Sequence, residues 1–450
     1  MHMKSNSRHD RVLLAPAALA GAFVVAAIVL GGGGTPAPRA ELALEVLGAI
    51  TLLFMLFAAS WRTRPVPGAI YVLAGVTAIL PILHLVPLPP SLWQSLPGRE
   101  TEIAALTLIG AQNDWMPLSL VPSATLASLL SLGPPLLVLL MTAKLSADER
   151  AGLLPLVAWS GLAAFMLGVL QVTSGSERFY LYADSSAGWL TGFQAGRNLA
   201  ADMLTIAMLA WAAIQPMRIF GAAGRFVGAA GIALLALGVL FTGSRAGIAI
   251  MVIVLPLAFH LAGTFRAIPR RKLLFAVAGF FLSAVGAVMA LLTSPAARRS
   301  LERLDSLESI RTDIWADAWA AALAYWPAGG GMGGFISLFM PFERLEVLDG
   351  LRTNRAHNDY LELLIEAGAP GMVLLAMAIA VIGWLAWRAL RAGGHASRQI
   401  TFALGTIGVV AAHSLVDYPL RSMSIACLFA MAVAMLCPAL SPEFRKGRST

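Results

Sequence analysis

The stretch Arg352-Thr-Asn-Arg355-Ala-His357-Asn358-Asp359-Tyr360-Leu-Glu362-Leu-Leu-Ile-Glu366-Ala-Gly368 is a polar, charged island in a chain that otherwise reads as membrane. Of the 450 residues 58% are hydrophobic and only 12% charged, and the mean hydropathy is +0.77. A soluble domain carries about 25% charged residues. Apolar runs of roughly 20 residues, enough to cross a bilayer core of about 30 Å, recur through the chain. They fall near 12–30, 41–59, 68–86, 123–142, 151–172, 198–215, 226–242, 246–263, 273–293, 371–390, 400–416 and 421–437. The expected fold is therefore an all-α polytopic membrane protein of about twelve transmembrane helices. Residues 1–293 would hold nine spans, 294–370 a large helical loop before the tenth span, and 371–450 the last three spans and a tail.

Orientation follows from the basic residues. With a cytoplasmic N-terminus, the inner loops collect Lys4, Arg8 and Arg11, Arg62 and Arg64, Lys144 and Arg150, Arg218 and Arg225, the four basic residues from Arg266 to Lys272, Arg388, Arg391 and Arg398, and Arg445, Lys446 and Arg448. That is well over half of the 32 basic residues and includes every lysine. The outer side keeps only arginines, and most of these sit in the 294–370 loop. The first apolar run has a basic flank, but Gly31-Gly-Gly-Gly34 replaces a small-residue cleavage site, so a retained anchor is expected. The net charge of +8 suits anionic lipid headgroups and implies no nucleic-acid partner. Cys427 and Cys437 lack disulfide or metal-ligand spacing and read as packing residues.

Two outer loops are long. Residues 87–122 are proline-rich and read as a cover over the outer mouth, with Ser123 as a candidate cap for the next helix. In 294–370, Ser300 to Trp319 reads as amphipathic helix with interfacial tryptophans. Pro327-Ala-Gly-Gly-Gly-Met-Gly-Gly-Phe335 follows, either a flexible turn or a bend whose backbone N–H groups approach a phosphate.

His357 carries the chemistry of the island. Asn358 can cap a helix that starts at Asp359 and breaks at Gly368-Ala-Pro370-Gly371. An imidazole just outside a helix N-terminus stays neutral and available as a base near pH 7. Asp359, Glu362 and Glu366 form one acidic stripe, which reads as a solvated face paired with loop arginines. Arg197, Arg245, Arg311, Arg355 and Arg421 reach the same outer side, with Asp202 placed to pair with Arg197 or Arg245. Single arginines there can snorkel to lipid phosphate, whereas a convergent set suits a bound phosphate anion. No metal-ligand pattern is present in the sequence, so no metal or cofactor is expected.

His357-Asn358-Asp359-Tyr360-Leu361 with Glu366-Ala-Gly368 resembles the His-Asn-x-x-Leu…Glu-x-Gly signature of the O-antigen ligase and polymerase superfamily. Arg311-x-x-x-Trp315, the glycine-rich bend, Thr242-Gly-Ser-Arg245-Ala-Gly247 and His413-Ser-Leu-Val-Asp417-Tyr-Pro419-Leu-Arg421 are similar to further segments of that family. Phe193-Gln-Ala-Gly196-Arg197-Asn198 keeps one of the two asparagines of the family's Phe-x-Asn-x-Asn pattern. The resemblance implies a C-type glycosyltransferase fold in the bacterial inner membrane, with cytoplasmic termini and a periplasmic active site. It implies transfer of a glycan from undecaprenyl pyrophosphate to a hydroxyl acceptor, lipid A core or a growing surface polysaccharide, without metal. His357 would be catalytic; Arg197, Arg245, Arg311 and Arg355 would hold the pyrophosphate; Asn198, Asn358, Asp359 and Arg421 would support them. A transporter or flippase for an anionic lipid-linked sugar is the competing reading. It predicts mid-membrane charges and internal repeats, which are not seen in the sequence.

Overall fold

The computed structural model describes residues 6–34, 38–182, 186, 188–214, 221–263, 312–347, 353–392 and 397–439. The expected ninth span, Arg311 and Arg352 lie outside these residues. The principal helices are α1 (Asn6–Leu30), α2 (Pro38–Phe57), α3 (Gly68–Leu85), α4 (Pro122–Ala143), α5 (Ala147–Ser174) and α6 (Arg197–Ala213). They continue with α7 (Gly224–Phe241), α8 (Arg245–Leu261), α9 (312–324), α10 (Asp359–Ala392), α11 (Ser397–His413) and α12 (Met423–Met435). The one sheet among the described residues is a two-residue antiparallel pair, β1 (Pro87–Leu88) with β2 (Met116–Pro117).

Among the described residues five helices, α2 to α5 and α10, are long and apolar enough to cross a membrane, and four segments, in α1, α7, α8 and α12, are apolar but shorter. Leu53, Phe54 and Phe57 on α2, and Val373, Ile379, Trp384 and Trp387 on α10, are exposed. An apolar surface that wide is not tolerated in water. The architecture is that of an all-α membrane protein.

Helix α6 is the hub. Every residue from Leu199 to Ala213 is buried, because α5, α7, α8 and α11 surround it. In lipid, apolar area alone does not drive helices together, so close packing must. Each neighbour supplies a glycine for this purpose: a Cβ at Gly161 would overlap Ala207, at Gly231 Trp211, at Gly247 Ala201, and at Gly405 Leu209. The Gly31–Gly34 run ties α1 to this hub. The Gly31 carbonyl accepts from the Ser424 N–H at 2.9 Å and the Gly32 carbonyl from the Ala195 N–H at 2.9 Å.

The two ends of the bundle differ. One gathers the basic loops: Arg64 pairs with Glu149 at 2.6 Å, Lys144 donates to the carbonyls of Trp61 and Arg64, and Arg150 donates to three carbonyls including that of Cys437. The opposite end carries the described parts of the long loops 87–122 and 294–370, which pack on each other. Leu120 N–H donates to the Gly330 carbonyl at 2.9 Å, and the Met332 N–H donates to His84 Nδ1 at 3.1 Å. Helix α4 starts with Pro122 in its first turn, and no side chain caps it, so Ser123 is not the cap. Proline needs no partner for a missing N–H at that position.

The short helix and the tenth span are one element, α10, bent where Gly368 adopts φ 54° and ψ −147°. The glycine-rich bend seats against that kink. Gly330 N–H donates to the Ile365 carbonyl at 3.0 Å and Gly331 N–H to the Glu366 carbonyl at 2.8 Å. Phe335 N–H donates to the Glu366 carboxylate at 3.1 Å. Gly329 and Gly334 N–H groups are also satisfied within the protein. The bend is thus a clamp on α10, and these amides are spent on protein carbonyls and carboxylates, not left for a phosphate.

Candidate active site

His357 precedes α10 with φ 49°, a left-handed conformation uncommon outside glycine. Its neighbours hold it there. Asn358 Oδ1 accepts from the N–H groups of Tyr360 and Leu361 at 3.1 and 3.0 Å, the expected N-cap. On the other side, the Ala356 carbonyl accepts from Trp315 Nε1 at 2.9 Å, and the Ala356 N–H donates to Glu362 at 3.2 Å. The Asp359 N–H reaches the carbonyls of Ser414 and Asp417, and its Oδ2 accepts from the Ser414 hydroxyl at 2.9 Å. The start of α10 is therefore sewn to the turn after α11.

That turn provides the decisive partner. His357 Nδ1 lies 2.9 Å from Asp417 Oδ1, with the Asp417 side chain 4% exposed and that of His357 27% exposed. A carboxylate accepts, so Nδ1 is the donor, and in the neutral imidazole Nε2 keeps the lone pair. The Tyr418 ring stands 5.1 Å from the imidazole. Burial raises Asp417, but the hydrogen bond and charge of His357, aided by His413 and a hydrogen bond from Asn198, bring its carboxyl below the ordinary 3.8.

The acidic stripe is buried, not solvated: Glu362 and Glu366 are both inaccessible. Arg355 pairs with Glu362 at 2.8 Å, and Arg421 with Glu362 at 3.0 Å and Glu366 at 2.8 Å. Burial would lower Arg421, yet Glu366, Glu362 and Asp359 hold its guanidinium above the ordinary arginine range. The arginines compensate carboxylates that could not otherwise leave water.

Arg197 and Arg245 are the first residues of α6 and α8. Trp189 joins them: the Arg197 guanidinium lies 5.7 Å from its ring centroid, and the same ring covers Gly243, two residues before Arg245. Arg245 is exposed, and the Ser244 hydroxyl caps its helix by accepting from the Gly247 N–H at 3.1 Å. Asn198, beside Arg197, faces Asp417 closely enough to help lower its carboxyl, so the α6 N-terminus adjoins the partner of His357. Asp202 pairs with neither arginine. Its Oδ1 lies 2.6 Å from His413 Nδ1, both side chains 1% exposed.

The site thus unites His357, Asn358, Asp359, Arg355, Arg421 and Asn198 around one turn, with Arg197 and the Arg245 turn across Trp189. The sequence reading omitted Asp417 and His413 from the candidate site. Their signal was the His413-x-x-x-Asp417 spacing after α11, which puts both on one face of a helical turn. Residues 230–376 match the family described as O-Antigen ligase. The match covers about a third of the chain and supports the resemblance to the O-antigen ligase/polymerase superfamily. The matched stretch runs from within α7 to just past the α10 kink and includes Arg245 and His357; Arg197, His413, Asp417 and Arg421 lie beyond it. Comparison with curated proteins gave no match.

Proposed function

We propose that the protein is a metal-independent glycosyltransferase of the bacterial inner membrane. It moves a glycan from undecaprenyl pyrophosphate to a hydroxyl acceptor, lipid A core or a growing surface polysaccharide, at its periplasmic face. The contact between His357 and Asp417 carries this reading, because it fixes the tautomer that leaves Nε2 basic. The acceptor oxygen attacks the anomeric carbon and forms the new glycosidic bond. His357 Nε2 takes the hydroxyl proton, and the bond from that carbon to the pyrophosphate oxygen breaks. Undecaprenyl pyrophosphate departs with the electron pair, the charge on its phosphates met by Arg197 and Arg245. Arg311 is a further pyrophosphate ligand in this reading. Arg355 has an additional duty toward Glu362.

The test is the surface-glycan profile of a deletion strain complemented with wild type or His357→Ala at equal membrane level. Restoration by wild type alone is expected. Long unattached polymer in the mutant would then identify a ligase, and single-repeat products a polymerase. Full complementation by His357→Ala would overturn the catalytic reading and favour transport of a lipid-linked sugar.

A further inference from the structure

Asp202 and His413 lie beneath the site and take no part in the transfer step described above. They face each other across the interface of α6 and α11, 2.6 Å apart and almost wholly buried. The two elements meet in two rungs of equal spacing. Asn198 and Asp202 occupy successive turns of α6, and His413 and Asp417 successive turns at the end of α11. Asn198 faces Asp417 closely enough to help lower its carboxyl, and Asp202 Oδ1 lies 2.6 Å from His413 Nδ1. The Asp417 N–H donates to the His413 carbonyl at 2.9 Å, so the rungs are also joined through the backbone.

A buried polar pair is a poor stabiliser, since apolar residues of the same volume do as well or better. What it supplies is direction. Asp202 Oδ2 and the hydroxyl of Thr205, one turn on, are buried with no hydrogen-bond partner among the described residues. This part of the interface is more polar than packing requires.

We infer that Asp202 and His413 form a positioning pair that fixes Asp417 and, through it, the catalytic imidazole of His357. The inference rests on the proposed role of His357 as base. His413 holds α11 in register on α6. That register sets where Asp417 presents Oδ1, and a displacement of about 1 Å at a catalytic group costs about 100-fold in rate.

The experiment measures transfer from a lipid-linked glycan donor by the full-length protein at equal membrane yield. The variants are His413→Leu, His413→Asn, Asp202→Asn, Asp417→Ala, the double variant of Asp417→Ala with His413→Leu, and His357→Ala. His413→Leu is expected to lower kcat about 10- to 100-fold at unchanged KM. His413→Asn, whose amide nitrogen takes the place of Nδ1, should recover most of it. In the Asp417→Ala background His413→Leu should cost nothing more, which a purely structural role would not produce. If His413→Leu fails to insert, the isosteric Asp202→Asn is read on the same cycle. Wild-type kcat in the inserted variant, or a loss that multiplies in full with Asp417→Ala, overturns the inference. Undiminished turnover in His357→Ala instead overturns the base itself, and the two failures are read from different variants.

Discussion

Under the proposed mechanism Asp417 would act on the site in two separable ways, on rate and on stability. Replacing it with Asn keeps the shape but allows an amide to face Nδ1, so the imidazole no longer has a fixed tautomer. Turnover of Asp417→Asn should fall by about 100- to 10,000-fold with little change in KM, measured on a lipid-linked donor. The carboxyl also links folding to pH. Its folded value lies below the ordinary 3.8, so its stabilising contribution is fully present above that ordinary value and is lost as pH falls through the folded one. Thermal unfolding in detergent should show a wild-type advantage over Asp417→Asn that is constant near neutrality and shrinks below about pH 4. Arg421 belongs to the fold more than to the chemistry. Arg421→Ala leaves the buried Glu366 without its arginine and Glu362 with Arg355 alone, and a loss of about 3–5 kcal/mol is expected in the same assay. Unchanged stability would mean that Glu366 finds another partner.

At the scale of elements, the kink in α10 decides where the island sits. Above Gly368 the helix carries Asp359, Glu362 and Glu366 inward; below it the same helix faces lipid with Val373 and Trp384. A side chain at Gly368 meets two obstacles. Its φ of 54° with ψ −147° is a region kept essentially to glycine, and a Cβ would overlap the Pro327 carbonyl. Gly368→Ala should therefore destabilise by about 1–3 kcal/mol or more and release the glycine-rich clamp. Limited proteolysis should then cut 327–335 faster than in wild type. Protection equal to wild type would show that the clamp does not depend on the kink. Trp315 binds the Ala356 carbonyl, so α9 and α10 hold the His357 backbone between them.

The whole molecule sorts its charges to two ends. The end with Arg64, Lys144 and Arg150 has the basic bias of a cytoplasmic face, and the His357 end would then be periplasmic. Both native cysteines are buried, so single introduced cysteines report orientation without background. Leu345→Cys, at a position 81% exposed on the loop before α10, should react with an impermeant maleimide in intact cells. Arg62→Cys should react only after the membrane is opened. The reverse pattern would invert the topology and place the site in the cytoplasm.

Apolar runs, basic flanks and the capped His357 island were legible in the sequence, because spanning length, the positive-inside bias and helix capping are local properties. The same locality gave Asn358 as the cap and Gly368 as the break. Nothing local distinguishes a solvated acidic stripe from a buried one, and Glu362 and Glu366 proved buried because Arg355 and Arg421, from two separate segments, came to meet them. The glycine-rich bend is likewise equally readable as a phosphate loop or a clamp until its amides are seen to end on Ile365 and Glu366. Asp202 was expected beside an arginine and is held by His413, and His357 found Asp417 sixty residues away. Those pairings depend on α6 and α11 packing side by side. Only the tertiary structure decides that, because burial obliges each polar group to find whichever partner the packing brings within reach.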